Sequence, residues 1–252
     1  MKFYVLNGRK IKRSLILLLT ALFTATFLYM NNLHLAVFSS GEEPQVFYRG
    51  EEKSKHVALT FNLNWGDEKA LPILDILKAA EIDNATFFLS ASWAERHPDI
   101  VKRIKEDGHE IGTLGYTYQN YTDYDVAKIK RDLSKAKEVF EKMEVRDIEL
   151  MRTPTGGFNK EILKAVDSYD YTLVHWSIDS KDETNPGVKE IVNKTLIELK
   201  GGDVILLHAS DSAKQTAKAL PLIIKGMKKS GYSNIPISEL IANTEASSKE
   251  VK

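Results

Sequence analysis

From residue 56 to residue 237 the chain alternates short apolar runs with longer stretches in which apolar residues recur every three or four positions. The short runs cover residues 57–61, 85–89, 110–112, 149–152, 171–178, 203–208 and 234–237. Their length and their β-branched and aromatic content predict strands. The helical rhythm predicts helices over 68–80, 98–107, 123–143, 160–168, 187–200 and 212–229. In the last of these Leu220, Ile223, Ile224 and Met227 share one face, the spacing of a helix packed on a core. Repeated strand–helix units imply an α/β fold with parallel strands and right-handed crossovers. About seven units in under about 200 residues fit a small, irregular β/α barrel better than an open sheet.

Before this pattern the chain carries Lys2, Arg9, Lys10, Lys12 and Arg13, then a run over residues 14–30 with no charge. As a helix that run is about 25 Å long, just under the hydrocarbon thickness of a bilayer. The basic flank would stay cytoplasmic and the rest of the chain would be exported. An uncleaved membrane anchor and a signal peptide processed near "VFSS" (residues 37–40) are the two readings. The expected organisation is a flank and anchor or signal over 1–38, a linker over 39–55, one domain over 56–242 and a disordered tail over 243–252. The product is then extracytoplasmic, anchored to the membrane or secreted.

Composition narrows the chemistry. The 252 residues hold 35 Lys and Arg against 35 Asp and Glu, so no charge excess points to nucleic acid. There is no Cys, which excludes disulfides, thiolate metal sites and a Cys nucleophile. The stretch "TPTGGFN" (153–159) is Gly-rich, but no Lys-Ser/Thr follows it, so it is not a nucleotide phosphate loop.

In a β/α barrel the chemistry gathers at the C-terminal strand ends. Here those ends present Asn62, then residues 114–118, then Arg152, Asp179 and His208. Asn62 is an amide and takes no proton at neutral pH. Asp67 and Glu68 follow five and six residues later. They either cap the next helix, where acids are favoured, or fold back over the barrel mouth as a replacement base. Trp65 is an apolar anchor that could also stack on a sugar ring.

The segments "LTFN", "ATFFLS", "DGHEIGTLGYTY", "MRTPTGGFN", "VHWSIDSKDE" and "VILLHAS" occur in this order and together resemble the polysaccharide deacetylases of the NodB-homology family. "FNLNWGDE", "WAERHPD", "HWSIDSKD" and "HASDSAKQT" resemble its sporulation-associated, PdaB-like branch. The resemblance spans roughly residues 56–242. It implies an irregular (β/α)7 barrel that removes N-acetyl groups from cell-wall glycan with the help of a divalent metal such as zinc. Asn62 and Leu63 stand where the family has a base Asp and a ligand Asp. Leu114 and Tyr118 stand where it has two His ligands. Arg152 matches the base-orienting Arg, Thr155 a substrate-contacting position, Asp179 the Asp of the fourth motif, Leu206 the acetyl pocket and His208 the catalytic acid. Glu183 stands where Trp is common, and His109 reads as scaffold.

This resemblance makes His208 with Asp179 the leading functional pair, supported by Arg152. No metal is expected, because a carboxylate and two imidazoles have been replaced by Leu63, Leu114 and Tyr118. Two readings follow. One is a hydrolase of non-peptide C–N bonds acting on N-acetylated glycan in sporulation, with metal-dependent turnover weak or absent. The other is a non-catalytic protein that binds cell-wall glycan.

Overall fold

The computed structural model describes residues 45–250. The expected anchor at 14–30 and the "VFSS" site lie outside the described residues. Among the described residues no helix is long and apolar enough to cross a membrane.

The strands are β1 (Val46–Phe47), β2 (His56–Leu63), β3 (Thr86–Leu89), β4 (Glu110–Thr113), β5 (Leu150–Met151), β6 (Thr172–Val174), β7 (Ile178–Asp179), β8 (Val204–His208) and β9 (Ser233–Asn234). The larger helices are α1 (Ala70–Ala79), α2 (Ala91–Ala94), α3 (Pro98–Glu106), α4 (Val126–Lys142), α5 (Lys160–Asp167), α6 (Val188–Leu196), α7 (Thr216–Lys229) and α8 (Ile237–Glu250). Every strand pairing is parallel, in the order β1-β6-β5-β4-β3-β2-β8-β7, with β9 added beside β2. This is the parallel α/β sheet that the alternation of strand and helix rhythms predicts.

The sheet must curl. Three strand spacings separate β5 from β2, roughly 14 Å across a flat sheet, farther than an arginine side chain extends. Yet Arg152, one residue past β5, reaches both Thr60 and Asn62 of β2. Along β2 the faces alternate. Leu59, Phe61 and Leu63 pack under the helices with Ile73, Leu74 and Leu220, while Ala58 joins Phe88, Leu114, Leu150, Val174 and Val204 in a second, inner cluster. Side chains from widely separated strands meet there, as they do only on a concave face. The hydrogen-bonded row ends at β1 and β7, so the strands form a curled sheet with a gap rather than the closed ring of a regular barrel.

Three expectations about boundaries need correction. Residues 45–55 are part of the domain, not linker: β1 pairs with β6, the Gly50 N–H donates to Gly202 O at 2.7 Å, and Arg49 Nε lies 2.8 Å from the buried Asp203 carboxylate in an ionic contact outside hydrogen-bond alignment. Gly201 is required at this seam, because a Cβ there would lie 2.0 Å from the Ser54 carbonyl oxygen. The run 171–178 is two strands, broken where the His175 N–H turns to Phe47 O and the Ser177 N–H to Val204 O. The tail expected to be disordered continues helix α8 to Glu250.

Helix α8 is docked by Glu110. Its carboxylate accepts from Thr86 Oγ1 at 2.7 Å and from the Ile237 and Ser238 N–H groups at 2.9 and 3.2 Å. It thereby supplies the oxygen that the first turn of a helix lacks. His109, beside it at the start of β4, is buried; its Nδ1 accepts from the Ala85 N–H at 3.3 Å and its Nε2 has no partner among the described residues. Burial holds the imidazole below its ordinary range, Arg103 adding to this and Asp107 and Asp83 opposing it.

Glu110→Ala should cost about 1–2 kcal/mol in denaturant unfolding by uncapping α8. Because His109 is held neutral in the fold, the unfolded chain takes up its proton first. Its contribution is therefore full above about pH 6.5 and is lost as pH falls through the lowered value. His109→Phe should flatten the acid side of a melting-temperature profile, and an unchanged profile would refute this account.

Candidate functional site

Asn62, the penultimate residue of β2, and His208, the last of β8, stand in register on neighbouring strands, so they lie together at the C-terminal end of the curl. Beneath them Arg152 crosses the interior. Its Nη1 donates to Thr60 Oγ1 at 3.0 Å and to Asn62 Oδ1 at 2.9 Å, Nη2 donates to His175 O at 3.1 Å, and Nε to Val174 O at 3.3 Å. The guanidinium is fully buried, 4.1 Å from the centre of the Phe88 ring. All four acceptors are neutral. With no carboxylate to offset desolvation, burial pulls the Arg152 group down to about 9.

The positions expected to have lost a metal site occupy three different environments. Leu63 is buried in the layer under the helices with Phe61, so alternation along β2 turns it away from Asn62. Leu114 fills the inner cluster, and Tyr118 packs on that cluster beside Trp176. The Tyr118 hydroxyl faces the Asn62 side chain and the Thr155 backbone; burial pushes its phenol up, and the Glu183 carboxylate adds to this. The loop that carries Tyr118 is pinned by Asp132 of α4. That carboxylate accepts from the N–H groups of Tyr116 and Thr117 at 2.7 and 3.0 Å and from the hydroxyls of Thr117 and Tyr121 at 2.7 and 2.6 Å. Gly115 permits this approach, since a Cβ would strike the Tyr121 hydroxyl and Asp132.

His208 is buried between two acids, and neither is Asp179. Its Nδ1 lies 2.8 Å from Asp182 Oδ1, and its backbone N–H donates to Asp182 Oδ2 at 2.7 Å. Thr216 Oγ1 donates to that same oxygen at 2.6 Å. On the outer side His208 Nε2 lies 3.2 Å from Glu183 Oε2. Asp179 instead accepts from the Lys181 backbone at 2.9 Å and pairs with Lys181 Nζ at 2.6 Å. The pairing of His208 with Asp179 is therefore corrected to Asp182. After β7 the chain makes a left-handed step at Lys181, φ 57°, and one turn of 3-10 helix over Asp182–Thr184, which carries the second acid under the imidazole. The signal for it was a second acidic pair, Asp182 and Glu183, three residues beyond a strand-end Asp.

Asp67 and Glu68 do neither of the things expected of them. Both are exposed, Glu68 pairs loosely with Lys69, and α1 starts at Ala70 with no acid in its first turn. The carboxylate at the helix start is Asp211, which accepts from the Asp67 and Lys69 N–H groups at 3.2 and 2.9 Å. Gly66, with φ 73°, passes so close to Asp211 that any Cβ would overlap it, and Trp93 Nε1 donates to Gly66 O at 2.6 Å. Trp65 is 65% exposed, free to present its ring. Leu206 is buried one alternation before His208. Thr155 is exposed with φ 63°, and Gly156 beside it lies flat under the Trp176 ring. Phe158, exposed and edge-on to His175, is a rim aromatic not singled out from the sequence.

A divalent metal does not fit these residues. Among the described residues no three His, Asp or Glu side chains converge as ligands. Where the family resemblance asks for ligands, one leucine faces the helices and another the apolar interior, and the phenol is held in its protonated form.

The comparisons with known proteins agree on the scaffold. The family model described as "Polysaccharide deacetylase" matches residues 49–174. A peptidoglycan-N-acetylglucosamine deacetylase of Bacillus cereus is 34% identical, over 74% of this chain and 88% of that protein. A wild-type CE4 family pseudoenzyme from Bacillus anthracis superposes with a TM-score of 0.75 at 29% identity, covering 80% of this chain and 70% of that one. A mutant of the same pseudoenzyme, with restored enzymatic activity, superposes equally well at 29% identity, covering 80% and 73%. With the fold, the ordered motifs and these matches in agreement, this chain belongs to the polysaccharide deacetylase family.

Proposed function

We propose that this protein recognises the amino-sugar glycan of the bacterial cell wall in a deacetylase scaffold from which metal-dependent hydrolysis has been lost. One observation carries the reading: the oxygen that meets Arg152 at the end of β2 belongs to the amide of Asn62 and not to a carboxylate. A metal-bound water in such a site would have a pKa near 7, against 15.7 free, and a general base adds about 10²–10⁴-fold in rate. Asn62 positions a water without deprotonating it, and no ligand set stands beside it. What remains suits binding: the exposed Trp65 and Phe158 rings for sugar faces, with the partly exposed Tyr118 and the half-exposed Glu183 carboxylate beside the buried His208. The similarity to a peptidoglycan deacetylase on one side and to a CE4 family pseudoenzyme on the other supports this pairing of ligand class with lost turnover. In this reading the apolar run at 14–30 holds the domain outside the cytoplasmic membrane, where it serves spore formation.

A second reading retains hydrolysis. The observation that favours it is His208 itself, buried and fixed by Asp182, in the place of an acid that protonates a leaving amine.

Full-length protein should bind N-acetylglucosamine tetramer in calorimetry and release no acetate from it or from peptidoglycan with zinc or cobalt present. Acetate release that His208→Ala abolishes would establish the second reading in its place. Asn62→Asp gives the buried guanidinium a counter-charge and should raise unfolding stability by about 1–3 kcal/mol. The new carboxylate is depressed in the folded state, so that gain is complete above about pH 4 and disappears on further acidification.

A further inference from the structure

The glycan-binding reading leaves open which amino sugar the groove prefers, and the surroundings of His208 bear on this. Its ring has a carboxylate oxygen at each nitrogen, Asp182 at 2.8 Å from Nδ1 and Glu183 at 3.2 Å from Nε2. Asp182, fully buried and accepting from the His208 backbone and Thr216 as well, holds the inner side of the ring. Glu183 is then the acid that faces outward from the ring. Glu183 is built differently from Asp182. Its side chain is 45% exposed, and His208 is the one group within hydrogen-bond distance of its carboxylate among the described residues. The nearby Lys181 is already paired with Asp179 at 2.6 Å, and Tyr118 keeps its proton.

We propose that Glu183 makes this groove selective for de-N-acetylated glycan, binding the free ammonium of a glucosamine-type sugar in preference to the acetamide of its N-acetylated form. This rests on the glycan-binding reading and names its ligand more closely. An acetamide offers Glu183 one neutral N–H, and its carbonyl oxygen is repelled by a carboxylate. An ammonium offers three N–H groups and a charge to the half-exposed Glu183 carboxylate. Arg152 opposes a second cation, but it lies below Asn62 with its N–H groups turned to Thr60, Asn62, Val174 and His175. The ligand so defined is the product of an amide hydrolysis, so an N-deacetylation carried out elsewhere must supply it, and this protein reads the result.

The test is calorimetry on full-length protein with glucosamine tetramer and N-acetylglucosamine tetramer, at about pH 5.5 and about pH 9, either side of the titration of an α-amine. The expected result is about tenfold tighter binding of the glucosamine tetramer at the lower pH, as one charge-assisted hydrogen bond would give. That ratio should fall to about one at the higher pH, and to about one in both Glu183→Gln and Glu183→Ala. Equal or weaker binding of the glucosamine tetramer, with the N-acetylated one still bound, overturns the selectivity and leaves glycan recognition standing. A preference that survives both substitutions also overturns it. Binding of neither oligomer overturns both.

Discussion

The guanidinium of Arg152 is the constraint around which the rest is arranged. Burying a cation without an anion costs several kcal/mol, and here the cost is offset by four neutral acceptors and an aromatic face rather than by a salt bridge. Those acceptors lie on β2 and on the segment from β6 toward β7, so satisfying one side chain fixes how far the sheet curls. The same bonds hold the Asn62 oxygen toward the guanidinium, while the Asn62 side chain also meets the Tyr118 hydroxyl. Fold and site are therefore one arrangement: the residue that sets the curvature also sets which chemistry the end of β2 can present.

Alternation along β2 decides which way the two residues at its end face. Leu63 is committed to the layer beneath the helices with Phe61 and Leu59, so it seals the core instead of lining the mouth. Leu114 and Tyr118 line the interior, and they do so as packing groups, one within the apolar cluster and one against it. The site has acquired a packed, mostly uncharged floor under a rim where Glu183 and His208 meet.

Much of this was legible in the residues. Helix rhythm located α1, α3, α4, α5, α6 and α7 to within a few positions, because each buries an apolar stripe as Leu220, Ile223, Ile224 and Met227 do in α7. The strand ends named Asn62, Arg152 and His208, and the structure brings those three together. What escaped was decided by partners distant in sequence. Val46 and Phe47 look like linker until β6 supplies their ladder. Asp182 lies in a loop that only a left-handed Lys181 turns under His208. Asp211 caps a helix that starts over 140 residues earlier, which no local rule for helix starts detects. Residues 237–250 lack a strong apolar stripe, and the helix start depends on Glu110.

Asp211 also bears on how the groove can respond to what it holds. Its two oxygens fasten the exit of β2 to the segment that follows β8, and Gly66 lets the clasp close without a gap. The segments after β2 and after β8 are therefore joined by side-chain bonds as well as by the strand ladder. In the proposed glycan-binding reading, accommodation of different sugars falls to Thr155, Gly156 and Phe158, which lie on an irregular loop.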